Sequence, residues 1–94
     1  MLPIIAEHND SRGSLSALDF KNLKFKPKRI FYVKNVPKNT ERGNHAHYTT
    51  QQYLICLDGK IQIKLFDGHE ETCHLLEKNQ MVFVDKLMCF SVHF

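Results

Sequence analysis

The stretch Arg42-Gly43-Asn44-His45-Ala46-His47, with Gln51 and Gln52 shortly after it, is the part of this chain best equipped for chemistry. Histidine titrates near neutrality, so one imidazole can take a proton and another can deliver one under the same conditions. His45 and His47 are two residues apart, and in extended backbone such residues lie on the same side. Neighbouring imidazoles depress each other's protonation, which keeps at least one neutral and available as a base. Arg42 can bind developing negative charge or phosphate oxygens through its planar guanidinium. Gln51 and Gln52 can hydrogen-bond a hydroxyl or one of the histidines. Two alternatives stand beside this acid–base reading. The pair could be half of a metal site, although two nitrogens fall short of the three or more protein ligands that transition metals usually take. It could also be two ordinary polar residues on a half-exposed strand.

The frame that must hold this cluster is small. The chain has 94 residues, enough for one domain. A domain of this size buries only roughly 60 to 65% of the surface its unfolded chain exposes, so a partner subunit would help it. With 43% hydrophobic and 24% charged residues, the composition is that of an ordinary soluble protein. The net charge of +3 comes from scattered lysines with one local cluster, Lys21 to Arg29. No basic stripe sits on a nucleic-acid reading element, and a basic rim suits an anionic small molecule as well. No run approaches the roughly 18 apolar residues of a membrane helix. The cysteines, Cys56, Cys73 and Cys89, are odd in number and widely spaced. They read as reduced, mostly buried thiols of a cytoplasmic protein.

Short strands and turns account for nearly all of the chain. Leu2 to Ile5 reads as an edge strand, 8–13 as a turn, and Leu15 to Phe20 as a second short strand. Arg29 to Val36 alternates clearly: Ile30, Tyr32 and Lys34 against Phe31, Val33 and Asn35. Further strands are expected at Gln52 to Leu57, Lys60 to Phe66, Glu70 to Leu76, Met81 to Val84 and Met88 to Phe94. Asp58-Gly59 and Asp67-Gly68 carry hairpin signals. Ile61, Ile63 and Leu65 should face a core. No stretch has a helical period, so an all-β antiparallel barrel or sandwich is predicted.

Four stretches together resemble one family. They are Asp10-Ser11-Arg12-Gly13-Ser14-Leu15, Arg29-Ile30-Phe31-Tyr32-Val33, the Arg42 to His47 run, and Gln52-Tyr53-Leu54-Ile55-Cys56-Leu57-Asp58-Gly59. They look like the cupin-fold, WxcM-like sugar 3,4-ketoisomerases, which act on nucleotide-linked 4-keto-6-deoxyhexoses. The resemblance implies a single cupin or jelly-roll domain over 1–94, a homodimer, no metal or other cofactor, and a role in making deoxysugars for surface polysaccharides. It carries the acid–base roles to His45 and His47. It also brings in Arg42 and Tyr32 as catalytic neighbours, with Arg42, Gln52 and Arg29 expected to bind substrate. Moving a ketone from C4 to C3 needs a base at C3, an enediol and an acid at C4, all within reach of two histidines. Where metal-binding cupins carry a glutamate this chain has Gln52, and their late histidine falls on Phe90, with His93 at the wrong step. At its end the chain departs from the pattern. Family members continue further, and they place Trp-His where this sequence has Cys89-Phe90. The alternatives are a non-catalytic sugar-nucleotide-binding or structural cupin domain, or a metal-dependent cupin.

Overall fold

Eight strands follow one another with a single short helical turn, at Phe20–Asn22, among the described residues. The structure is a computed structural model that describes residues 4–46 and 49–94, and of residues 44–46 the backbone only. The strands are β1 (Glu7–Asp10), β2 (Gly13–Ser16), β3 (Glu41–Ala46), β4 (Gln52–Ile55), β5 (Lys60–Phe66), β6 (Glu71–Glu77), β7 (Met81–Val84) and β8 (Cys89–His93). All pairings are antiparallel. One sheet has the order β3-β8-β5-β6, a second is β4-β7, and β1-β2 form a separate hairpin.

The alternation in β5 builds the centre. Ile63 and Leu65 point inward and are 0% and 4% exposed, with Ile61 packed at the margin of the same cluster. Leu76 of β6, Phe90 of β8, Val82 and Val84 of β7, and Cys56 complete it. Each of the larger side chains contributes roughly 1.5–3 kcal/mol by leaving water. β5 and β6 are joined through Asp67-Gly68. Gly68 has φ +100°, and the Asp67 carboxylate accepts from the backbone N–H groups of His69 (2.9 Å) and Glu70 (3.0 Å). This is a hairpin, as its residues promised.

Asp58-Gly59 does something else. It links β4 to β5, which belong to different sheets. Four residues, 56–59, carry the chain from one layer to the other. The buried Cys56 thiol supports that crossing by donating to the carbonyls of Asp58 (3.4 Å) and Gly59 (3.5 Å). Three residues, 78–80, make the matching crossing from β6 to β7.

Other expectations shift in instructive ways. The polar run 8–13 is mostly strand: β1 and β2 pair around a tight turn, where Asp10 accepts from the Arg12 N–H (2.8 Å) and its guanidinium (2.7 Å). The hairpin is tied to the body by Asn79, 8% exposed, whose side chain donates to Ser16 Oγ (3.2 Å), while its carbonyl accepts from Ile5 N–H (2.8 Å). Of the expected N-terminal edge strand, Ile4 makes one bridge to Gln80, and Leu2 lies outside the described residues. Only Cys56 of the three thiols is buried; Cys73 is exposed and Cys89 intermediate, all three free. The largest difference is Arg29 to Val36, which joins no sheet and in which Asn35 leaves extended backbone, with φ +59°.

Candidate active site

β3 carries the Arg42 to Ala46 part of the cluster and lies at the edge of the four-stranded sheet. Its ladder with β8 pairs Arg42 with Val92 and Gly43 with Ser91, then slips so that His45 pairs with Phe90. The slip is a β-bulge at Asn44, one residue more on β3 than on β8. Without it, residues opposite Val92 and Phe90 would be two apart on β3. With it, Arg42 and His45 take those two ladder positions, and both Val92 and Phe90 belong to the core side of β8.

Gly43 makes the bulge possible. Its φ is +100°, and a Cβ added there would stand 2.7 Å from the Phe90 carbonyl oxygen. Any other residue would be strained in its backbone and pressed against β8 at once. The "RG" ahead of the histidines is therefore a backbone requirement as well as a charge.

Gln52 opens β4 opposite Val84, on the strand face that Leu54 and the buried Val82 and Val84 share. Its side-chain oxygen is buried, with no hydrogen-bond partner among the described residues. Gln51 is occupied elsewhere: its amide donates to Asp85 Oδ1 (3.0 Å), and this bond is the main reason the Asp85 carboxyl sits below its usual range. Arg42 is exposed. His47 lies outside the described residues. Tyr32 is 69% exposed, and Arg29 stacks its guanidinium 4.9 Å over the ring of Phe31. Both stand on the segment that joins no sheet, whereas Arg42 and His45 share β3 and Gln52 opens β4 in the second sheet.

Two clusters escaped the sequence reading. On the opposite side of β3, Glu41 faces His93, whose Nε2 lies 3.5 Å from the carboxylate and 3.0 Å from Ser91 Oγ. Both partners meet the same ring nitrogen, so this is no proton relay of the kind that uses both nitrogens of one ring. On the outer side of the second sheet, Tyr53 stacks on Phe25 (5.6 Å) and tilts against Phe83 (5.3 Å), with Lys24 Nζ 4.5 Å over Phe83. The i, i+2 spacing of Ser91 and His93 was the available signal for the first. Nothing local announces the second, because its three rings come from distant parts of the chain.

An antiparallel jelly roll of the cupin type, with Arg42 and His45 on a strand at the edge of its larger sheet, is the class that this fold and site define. Comparison with known proteins agrees. Residues 2–93 match the family model described as FdtA: WxcM-like, C-terminal, and the chain belongs to that family. A curated relative, the TDP-4-oxo-6-deoxy-alpha-D-glucose-3,4-oxoisomerase of Aneurinibacillus thermoaerophilus, is 43% identical over 61 residues. That match spans 64% of this chain and 44% of the relative, less than half its length. A 3,4-ketoisomerase from Helicobacter canadensis is 36% identical, with a TM-score of 0.85 over 96% of this chain and 69% of that one. The 3,4-ketoisomerase QdtA from Thermoanaerobacterium thermosaccharolyticum was solved as a histidine-to-asparagine variant in complex with TDP-4-keto-6-deoxyglucose. It is 27% identical, with a TM-score of 0.86 over 99% and 69% of the two chains.

Proposed function

We propose that this chain isomerises a nucleotide-linked 4-keto-6-deoxyhexose to the 3-keto sugar, as a step in deoxysugar synthesis for surface polysaccharides. The observation that carries this reading is the bulge in β3, which sets Arg42 and His45 at the ladder positions opposite Val92 and Phe90. His45 and His47 between them take the proton from C3 and return one to C4 through an enediol. The carbonyl at C4 acidifies the C3 proton, so the reaction needs no oxidant and no carrier. Arg42 stabilises the oxygen on which charge develops, assisted by Tyr32. Gln52, whose buried side-chain oxygen pairs with no described residue, offers it to a sugar hydroxyl. Arg42 and Arg29 hold the diphosphate, which supplies binding energy away from the reacting carbons. The working form is a homodimer in the cytoplasm.

The test is proton exchange. The protein is incubated with TDP-4-keto-6-deoxyglucose in deuterated buffer while the C3 proton is followed by NMR. Deuterium should enter the sugar as the 3-keto product forms. His45→Asn or His47→Asn should slow that entry by roughly 100-fold or more. Tight binding without exchange would refute the isomerase reading and favour a non-catalytic sugar-nucleotide-binding domain.

A further inference from the structure

Two links join the four-stranded sheet to the β4-β7 sheet at one end of the strands. Residues 47–51 lead from β3 to β4, and residues 85–88 lead from β7 to β8. The ladders bring their ends together: Ala46 pairs with Cys89, and Gln52 pairs with Val84. Each link therefore starts and finishes on a strand paired to a strand of the other link. The first of them matters to chemistry. In sequence it begins with His47, two residues after His45, and ends with Gln51, directly before Gln52.

The second link is fixed by its own bonds. The Lys86 N–H donates to Asp85 Oδ1 (2.8 Å), the Met88 N–H donates to the Asp85 carbonyl (3.3 Å), and the Asp85 N–H meets Met88 Sδ at 3.4 Å. Leu87, 59% exposed, sits at φ +66°, a left-handed backbone that bulky residues rarely adopt. Such a backbone persists only where its surroundings over-determine it, and the three bonds between Asp85 and its neighbours do so. Among the described residues one side-chain hydrogen bond joins this link to the first: Gln51 Nε2 donates to Asp85 Oδ1 (3.0 Å). The same oxygen takes the Lys86 N–H, so the acceptor is already oriented by its own link when Gln51 reaches it. An ionised carboxylate is a stronger acceptor than a neutral carbonyl.

We propose that Asp85 is a positioning residue for the acid–base machinery: through Gln51 it fastens the far end of the link that carries His47. The near end is held already, because Ala46 stands in the ladder with β8. Without Gln51's bond the far end would rest on the last ladder position of β4, Gln52 with Val84, and strand ends are the first parts of a ladder to open. Placement matters because proton transfer needs the imidazole within hydrogen-bond reach of the proton that it moves. That His47 is catalytic rests on the function proposed above; the fastening of the link does not.

Two readouts separate the fastening from the chemistry. In hydrogen–deuterium exchange Asp85→Ala should speed the amides across residues 47–52 by about tenfold, while those of β5 keep the rates of the parent. In turnover of TDP-4-keto-6-deoxyglucose Asp85→Ala should lower kcat by about tenfold or more and change KM by less than about twofold, since a misplaced acid–base group slows chemistry more than binding. Gln51→Ala should do the same, and the double variant should lose no more than either alone. Asp85→Asn keeps an oxygen for both Gln51 and the Lys86 N–H, and should return exchange and kcat most of the way to the parent. Exchange across 47–52 that is unchanged in Asp85→Ala would overturn the proposal, and so would losses in the two single variants that add. A parent that washes no deuterium into the sugar would remove the isomerase reading, and faster exchange across 47–52 in Asp85→Ala would still uphold the fastening.

Discussion

Gly43 and Gln52 show how single residues serve the site in opposite ways. Gly43 fits by having nothing to place. A methyl group there meets the Phe90 carbonyl at 2.7 Å in a backbone with φ +100°. Gly43→Ala should therefore cost roughly 1–3 kcal/mol, read as a lowered urea midpoint, and should reduce activity by disturbing the bulge. Gln52 holds a buried oxygen that pairs with no described residue, and an unsatisfied buried acceptor costs about 1–3 kcal/mol. Gln52→Leu should leave the urea midpoint unchanged or raise it, while KM for the nucleotide sugar increases. A lowered midpoint with unchanged KM would make Gln52 a structural residue. Cys56 belongs with the frame: burial pushes its thiol above the usual value, and it braces the turn beneath β5.

At the scale of elements, the strands that came out as expected are those whose neighbours in the sheet lie within the described residues. β5 matches its expected span, Lys60 to Phe66, and β7 its own, Met81 to Val84. Their apolar alternation meets partners on both sides or at one well-paired edge. Arg29 to Val36 alternates too, yet it forms no strand: alternation does not by itself supply hydrogen-bond partners, and Asn35, at φ +59°, departs from extended backbone. The Asp67 turn gives a test of local chemistry. The Glu70 and His69 N–H groups that donate to Asp67 hold its carboxyl below the usual value. A carboxyl lowered in the folded state contributes stability above its unfolded value and loses it as pH falls through the folded one. Asp67→Ala should thus lower the urea midpoint at neutral pH, and the gap from the parent should close from about pH 4 downward. A gap that does not depend on pH would mean that the turn acts through backbone preference alone.

For the whole molecule, charge is distributed more sharply than the net +3 suggests. Residues 20–40 contain seven Lys or Arg and no Asp or Glu, so the rest of the chain is net acidic. The same segment exposes Phe20, Ile30, Phe31, Tyr32 and Val33. A positive, partly apolar flank of this kind suits an anionic ligand such as the nucleotide sugar proposed above, drawing it in from a distance. KM for that sugar should rise steeply with ionic strength while kcat changes little, because screening over a Debye length of about 10 Å at 0.1 M weakens approach more than chemistry. A KM that does not respond to salt would remove that role from the flank.

The amino-acid sequence by itself determined the all-β character, the inner face of β5 and the Asp67-Gly68 hairpin. Each of these follows from side-chain periodicity or from a two-residue turn preference, both written locally. Three matters were decided by how the strands assembled. Asp58-Gly59 became a crossing between layers because β4 and β5 found other partners. Arg42 and His45 came to pair with Val92 and Phe90 because a bulge shifted the ladder between them. Arg29 and Tyr32 stayed outside the sheets because alternation alone does not decide which strands pair. Pairing of that kind joins residues far apart in the chain, and no local pattern of residues records it.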